Sequence, residues 1–275
     1  MPDLKSLIPP LKQIVIDAGN AILEVYNSPS PIEVDNKADD SPVTKADVAA
    51  HIIIEKGLTS LNCGYPILSE EGGLPEYAER KSWERYWLVD PLDGTKEFIN
   101  KNGEFTVNIA LIDNEQAILG FVYVPVTGVL YYGAQGHGSW KEDNGKITKL
   151  AVKNLSFDRS IRIVGSRRHG AEALETLLET ITPKFQGAEL VSMGSSLKIC
   201  ALAEGTADWY PRLALTSEWD TAAAHAVLSY AGGIILNPAL EPLRYNTKDS
   251  LLNPYFHAVG DSSFCWSDMI KPDQN

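Results

Sequence analysis

The apolar periodicity changes character along the 275-residue chain, and the change limits the folds open to it. Phe105, Val107, Ile109 and Leu111 alternate with Thr106, Asn108 and Ala110, the period-two signature of a half-buried strand. Ala117 to Val124 and Gly128 to Tyr132 continue as strands around a Pro-Val-Thr-Gly link, which predicts an antiparallel meander. Before it, Leu4, Leu7, Ile8, Leu11, Ile14, Val15, Ala18, Ile22 and Val25 recur at helical steps. A second helix is expected from Asp47 to Leu58, with short strands at Pro66–Leu68 and Tyr86–Val89. After Lys153 the order alternates. Strands at 161–164, 190–191, 207–210 and 233–236 interleave with helices at 171–180, 196–203 and 221–231. Such alternation makes a layered α/β unit. The chain is therefore read as an α/β protein with an α+β half (residues 1–155) and an α/β half (156–275), the seam falling near residue 155.

Compartment and partners follow from composition. Lys and Arg number 24 against 36 Asp and Glu, a net charge of −12. So acidic a surface repels nucleic acid polymers and anionic membranes. Cys63, Cys200 and Cys265 form no Cys-x-x-Cys pair, which argues against zinc or redox motifs and for reduced thiols in a cytoplasm. The first twenty residues carry charges and prolines where a secretory leader needs an apolar core. The longest apolar stretch, Ala222 to Leu236, is broken by His225, Ser229 and Gly232-Gly233, so no transmembrane segment is expected.

The most informative segment is Trp87-Leu88-Val89-Asp90-Pro91-Leu92-Asp93-Gly94-Thr95. An apolar strand runs into two acids three residues apart. Pro91 and Gly94 are turn formers, and a tight turn would fold Asp93 back beside Asp90. Carboxylates that close repel each other unless a cation lies between them. All-oxygen donors, with the Leu92 carbonyl as a further ligand, favour Mg²⁺. The same pentapeptide also serves as an ordinary surface turn. Two more acidic ends resemble it. Glu70-Glu71 closes the apolar run Ile67-Leu68, where a solvated loop is the plain alternative. Asp220 begins a helix, where an N-cap is the plain alternative. Gly94 and Thr95 offer backbone N–H groups to phosphate oxygens if a helix starts there. Ser195, Ser196 and Lys198 follow Gly194 at another helix start, either a second anion site or a cap beside a surface Lys.

Together, Glu70-Glu71, Asp90-Pro91-Leu92-Asp93-Gly94-Thr95 and Trp219-Asp220-Thr221-Ala222-Ala223 resemble the three signature motifs of the inositol monophosphatase superfamily, in the same order and across essentially the whole chain. Gly94-Thr95-Lys96-Glu97-Phe98, Asn102 to Ala110 and Gly194-Ser195-Ser196-Leu197-Lys198 are similar to its 3'(2'),5'-bisphosphate nucleotidase branch. The resemblance implies a layered αβαβα sandwich of the sugar-phosphatase type. It also implies a cytoplasmic phosphomonoesterase using two or three Mg²⁺, with a peripheral place on the cytoplasmic face of the membrane also open. The metal ligands would be Glu70, Asp90, the Leu92 carbonyl, Asp93 and Asp220. Thr95 would orient the attacking water, Asp47 would partner Thr95, and Glu70 would act beside them. Gly94, Thr95, Ser195, Ser196, Lys198, His169 and Asp220 would surround the substrate.

That substrate would be a small phosphorylated nucleotide, adenosine 3',5'-bisphosphate or its phosphosulfate relative, giving AMP and phosphate in the course of sulfate assimilation. One departure stands out: Arg168, in Ser166-Arg167-Arg168-His169, replaces a small polar residue found in relatives. The rival readings are an inositol or sugar-phosphate phosphatase of the same fold and, from another class, a non-catalytic cation-binding protein. Phosphate-loop, Gly-x-Ser-x-Gly and His-Glu-x-x-His motifs do not occur. The sequence leaves the oligomeric state open.

Overall fold

In a computed structural model, residues 3–36, 42–165 and 171–270 are described, those at 171–173 by their backbone only. Helix α1 (Leu4–Tyr26) starts at Asp3, whose side chain caps the Lys5 N–H, and buries the stripe Leu7, Leu11, Ile14, Val15, Ala18 and Ile22. A small hairpin, β1 (Val34–Asn36) and β2 (Pro42–Thr44), leads into α2 (Lys45–Ser60), which lies along α1. Then come β3 (Ile67–Ser69), the single-turn α3 (Tyr77–Arg80), β4 (Arg85–Asp93) and the short α4 (Thr95–Ile99). The meander is β5 (Thr106–Asp113), β6 (Gln116–Val124), β7 (Val129–Ala134), β8 (Gly138–Asp143) and β9 (Lys146–Lys149). The last two strands exceed the sequence expectation. They are a polar edge hairpin with little apolar alternation to betray it.

β3 to β9 form one seven-stranded sheet in chain order, antiparallel except for the parallel β3–β4 pair. Its central strands are buried on both faces, where the sequence suggested burial on one. The alternation is still meaningful. Val107, Ile109 and Leu111 join Trp87 and Val89 in a core under α1 and α2, while Ala110 and Ile112 join Tyr86 and Leu88 in a second core. Each face of the sheet thus carries its own helical layer.

The C-terminal half runs β10 (Ile161–Gly165), α5 (Ala171–Ile181), β11 (Ala188–Ser192), α6 (Leu197–Ala203), β12 (Trp209–Arg212), α7 (Glu218–Ser229), β13 (Ile234–Leu236) and β14 (Phe256–Val259). The five-stranded sheet is ordered β11-β10-β12-β14-β13. β14, which lacks a recognisable pattern, inserts antiparallel between β12 and β13, so the sheet is mixed. α6 and α7 pack between the two sheets, and α5 covers the outer face of the smaller one with Leu174 and Ile181. The layers are therefore αβαβα.

α7 approaches the large sheet closely because Ala223 and Ala226 face it. Gly120 on β6 completes the fit, since a Cβ there would lie 2.1 Å from the Ala223 carbonyl oxygen. α7 therefore belongs in sequence to the second half but packs on the sheet of the first. None of Cys63, Cys200 and Cys265 is in a disulfide. Among the described residues no helix is long and apolar enough to cross a membrane.

Candidate active site

The parallel register of β3 and β4 sets Ser69 opposite Val89, and the Glu70 N–H donates to the Val89 carbonyl at 3.1 Å. Glu70 and Asp90 consequently leave neighbouring strands at the same level. The Asp90–Asp93 segment is not the tight turn expected from its composition. β4 runs on to Asp93, and its register against β5 slips, with Asp90 opposite Asn108 but Asp93 opposite Thr106. Three residues on β4 thus span two on β5, which is a β-bulge. Pairing with β5 extends the strand, and Pro91, which cannot donate to a ladder, is tolerated at the bulge. The bulge brings the two acids within mutual influence, as the turn would have.

Asp47 and Asp220 are reached by a shared local device. Each is the third residue of its helix behind a hydroxyl N-cap, Thr44 on α2 and Ser217 on α7, in a capping box. Neither is itself the N-cap. Asp47 Oδ2 accepts from the Thr44 N–H at 2.8 Å and the Thr44 hydroxyl at 2.6 Å. Asp220 Oδ2 accepts from the Ser217 N–H at 3.0 Å. Asp90 Oδ1 accepts from the Leu92 N–H at 3.0 Å.

Electrostatically the group is crowded. Burial pushes the Asp90 carboxyl well above the usual carboxylate range, reinforced by the charges of Glu70, Asp93, Asp220 and Asp47. Burial raises Asp220 likewise, with Asp93 the next contributor. Burial also raises Asp47, against the opposing hydrogen bonds from Thr44. Among the described residues no three acids close into a finished ion cage. The donor chemistry nevertheless fits a hard divalent cation. The set is carboxylates plus the Leu92 carbonyl, with no thiolate or imidazole, and its charged forms repel one another until a cation joins them.

The Thr95 hydroxyl lies 3.3 Å from Asp47 Oδ1 and 3.4 Å from the Leu92 carbonyl oxygen, one proton shared between two long contacts. Gly94, the residue before α4, has φ +93°, and a Cβ there would meet the Glu104 carbonyl oxygen at 3.2 Å, so only glycine fits comfortably.

A cavity of about 170 Å³ opens beside these acids, lined by Asp93, Gly94, Ser195, Lys198, Tyr210 and Arg212. Lys198 is buried. Its Nζ donates to the Ser195 carbonyl at 3.0 Å and lies 5.6 Å from the Tyr210 ring centre. Burial lowers the Lys198 pKa, opposed mainly by Asp93. Arg212 is braced by the Ala214 and Leu215 carbonyls at 3.1 and 3.0 Å. Arg212 was not anticipated. Its only sequence signal is an apolar strand, Trp209-Tyr210-Pro211, running into a charge, the pattern that marked Asp90. Ser195 adopts a left-handed φ of +51°, rare for a non-glycine residue and frequent at functional sites.

The structure gathers Asp47, Glu70, Asp90, Leu92, Asp93, Gly94, Thr95, Ser195, Ser196, Lys198 and Asp220 around one cleft between the two sheets. His169 lies outside the described residues.

The inositol monophosphatase family model matches residues 3–262. The 3'(2'),5'-bisphosphate nucleotidase CysQ of Escherichia coli K12 is 48% identical over 244 residues, covering 89% of this chain and 96% of that protein. The crystal structure of CysQ from Bacteroides thetaiotaomicron superposes with a TM-score of 0.79 at 42% identity, covering 90% of this chain and 95% of that one. A Thermotoga maritima IMPase at 19% identity and TM-score 0.72 shares the fold, covering 90% of this chain. Carrying the family's three motifs on the family's architecture, this chain belongs to the inositol monophosphatase family.

Proposed function

We propose that this protein is a Mg²⁺-dependent 3'(2'),5'-bisphosphate nucleotidase that cleaves the 3'-phosphate from adenosine 3',5'-bisphosphate, leaving AMP and phosphate, in the cytoplasm and in support of sulfate assimilation. The observation that carries this reading is that one cleft brings acids suited to cations together with two cationic side chains. Asp93 and Asp220 line it with Lys198 and Arg212, and Lys96, Glu97 and Glu104 complete its charged lining. A bisphosphate has two dianionic groups, one for bound cations and one for Lys198 and Arg212. An inositol monophosphate has a single phosphate and presents only hydroxyls to the second place.

Glu70, Asp90, Asp93, Asp220 and the Leu92 carbonyl would hold Mg²⁺. When bound, Mg²⁺ supplies Lewis acidity toward the phosphate and lowers the pKa of water. The chain's own residues do the rest. Asp47, fixed by its capping box, receives the Thr95 hydroxyl, so that Thr95 can accept from the attacking water. The Gly94 and Thr95 amides face the phosphate being cleaved. Lys198 and Arg212 seat the second phosphate, and Tyr210 forms a wall of their pocket.

The test is Mg²⁺-dependent phosphate release from adenosine 3',5'-bisphosphate and from inositol 1-phosphate under identical conditions. Clear preference for the bisphosphate is expected. Equal or faster release from inositol 1-phosphate would transfer the protein to its sister activity. No release from either would leave a non-catalytic cation-binding protein.

A further inference from the structure

Ser196 is a buried residue with a crowded hydroxyl. Its Oγ lies 2.9 Å from Asp93 Oδ2 and 2.8 Å from the Asp220 carbonyl oxygen, and it accepts from Asn108 Nδ2 at 3.0 Å. Its backbone N–H also donates to Asp93 Oδ2, at 2.7 Å. The Ser195 hydroxyl donates to the same oxygen. The Ser196 N–H and the Ser195 and Ser196 hydroxyls thus converge on Oδ2, the one Ser196 hydroxyl proton being shared with the Asp220 carbonyl, and Oδ1 stays outside the set. Asp90 and Asp220 show the same division, with one oxygen tied to a backbone N–H. Tying one oxygen fixes the plane of a carboxylate and leaves the other to coordinate.

The anchor reaches into the large sheet. Asn108 faces Thr106 along one side of β5, and the Thr106 hydroxyl lies 3.0 Å from Asn108 Oδ1 and 2.7 Å from Ser195 Oγ. Thr106, Asn108 and Ser196 are all buried. The Asp220 carbonyl belongs to the first turn of α7. The Ser196 hydroxyl therefore stands where strand β5, the loop before α6 and helix α7 meet.

We infer that Ser196 is a positioning residue for the cation site: its hydroxyl and amide aim Asp93, and its tie to the Asp220 carbonyl sets the spacing between Asp93 and α7. This rests on the proposed Mg²⁺ dependence. Ser195 and Lys198 line the same cleft, and the proposal assigns Ser196 to its cation side. Outer hydrogen bonds to a ligating carboxylate are worth roughly ten- to a hundredfold in metal affinity.

The test titrates purified full-length protein with Mn²⁺, reading free Mn²⁺ by electron paramagnetic resonance, and separately measures AMP binding at saturating Mn²⁺. Ser196→Ala should weaken Mn²⁺ binding about tenfold and leave AMP affinity at saturating Mn²⁺ unchanged. Should that variant fail to fold, Asn108→Ala removes the donor to Ser196 Oγ and should shift the Mn²⁺ isotherm the same way. An unchanged isotherm in the folded variant overturns the inference. So does lost AMP affinity with an unchanged isotherm, which would make Ser196 a nucleotide contact. Absence of Mn²⁺ binding by the unmodified protein overturns the functional reading, and this inference with it.

Discussion

Thr95 and Asp47 are 48 residues apart in sequence, yet the Thr95 hydroxyl lies 3.3 Å from Asp47 Oδ1, joining the helix after the bulge to the first turn of α2. The two ends of this contact differ in how firmly they are held. Asp47 is locked by two short bonds from Thr44, whereas Thr95 has only long partners and is free to turn toward a water.

Thr95→Ala should therefore cut kcat by roughly a hundredfold or more, the usual worth of a positioned proton acceptor, with little change in KM or in melting temperature. Asp47→Ala should lose activity and stability together, because it also removes half of a capping box, at a cost of about 1 kcal/mol. Steady-state kinetics alongside thermal melts separate the two.

Asp93→Asn keeps the shape, and the donors around Oδ2 can still meet an amide oxygen, but it removes a charge facing the cations. Most of the rate should be lost while circular dichroism and melting temperature hold. Near-normal Mg²⁺-dependent turnover in this variant would show that the cation site lies elsewhere.

Arg212→Leu should raise KM for adenosine 3',5'-bisphosphate by about tenfold or more, since a charge-assisted bond is worth ~1.5–3 kcal/mol. Slow turnover of a monophosphate such as inositol 1-phosphate should be unaffected. Equal losses on both substrates would place Arg212 in the hydrolytic machinery.

Acid should weaken the fold before it protonates ordinary carboxylates. His225 is buried against Tyr245, with Nδ1 2.8 Å from the phenol oxygen, and burial pushes its pKa down from 6.5 to about 4. Between those values the unfolded chain binds the proton more tightly. Stability is therefore full above about pH 6.5 and declines as pH falls toward 4, by roughly 3 kcal/mol in all. Asp208 adds a second, more acidic loss. Arg159 and Arg162, prevailing over burial, hold its pKa below the usual range, so its contribution is present above the unfolded value and disappears as pH falls below it. Denaturant midpoints across pH for the wild type and His225→Gln would check the first window, which should flatten in the variant.

Much of the site was legible because its acids sit at the ends of regular elements. Strand ends and helix first turns are where apolar patterning stops, so Glu70, Asp90, Asp93 and Asp220 stand out against Ile67-Leu68, Trp87-Leu88-Val89 and the alanines of α7. The capping boxes Thr44-x-x-Asp47 and Ser217-x-x-Asp220 were readable too, yet each Asp first reads as the cap rather than the residue that answers it.

What stayed hidden depended on partners distant in sequence. The bulge at Asp90–Asp93 exists because β5 pairs through it, and no local propensity carries that information. Burial of β5 on both faces required knowing that α7 returns to cover it. β14 enters between β12 and β13 from a segment rich in Asn, Pro and Ser, and Arg212 gained meaning only once Lys198 stood beside it.

The seating of α7 on the large sheet has a consequence for how such a cleft diversifies. Because Gly120 lets Ala223 close onto the meander, Asp220 is held against the same sheet whose strand β4 carries Asp90 and Asp93, whatever its position in the chain. Lys198 lies on α6, between the two sheets, and Arg212 on β12 of the smaller one. Selectivity can therefore be rewritten at β12 while the acids on β4 and α7 are inherited, a modularity that the order of the chain conceals.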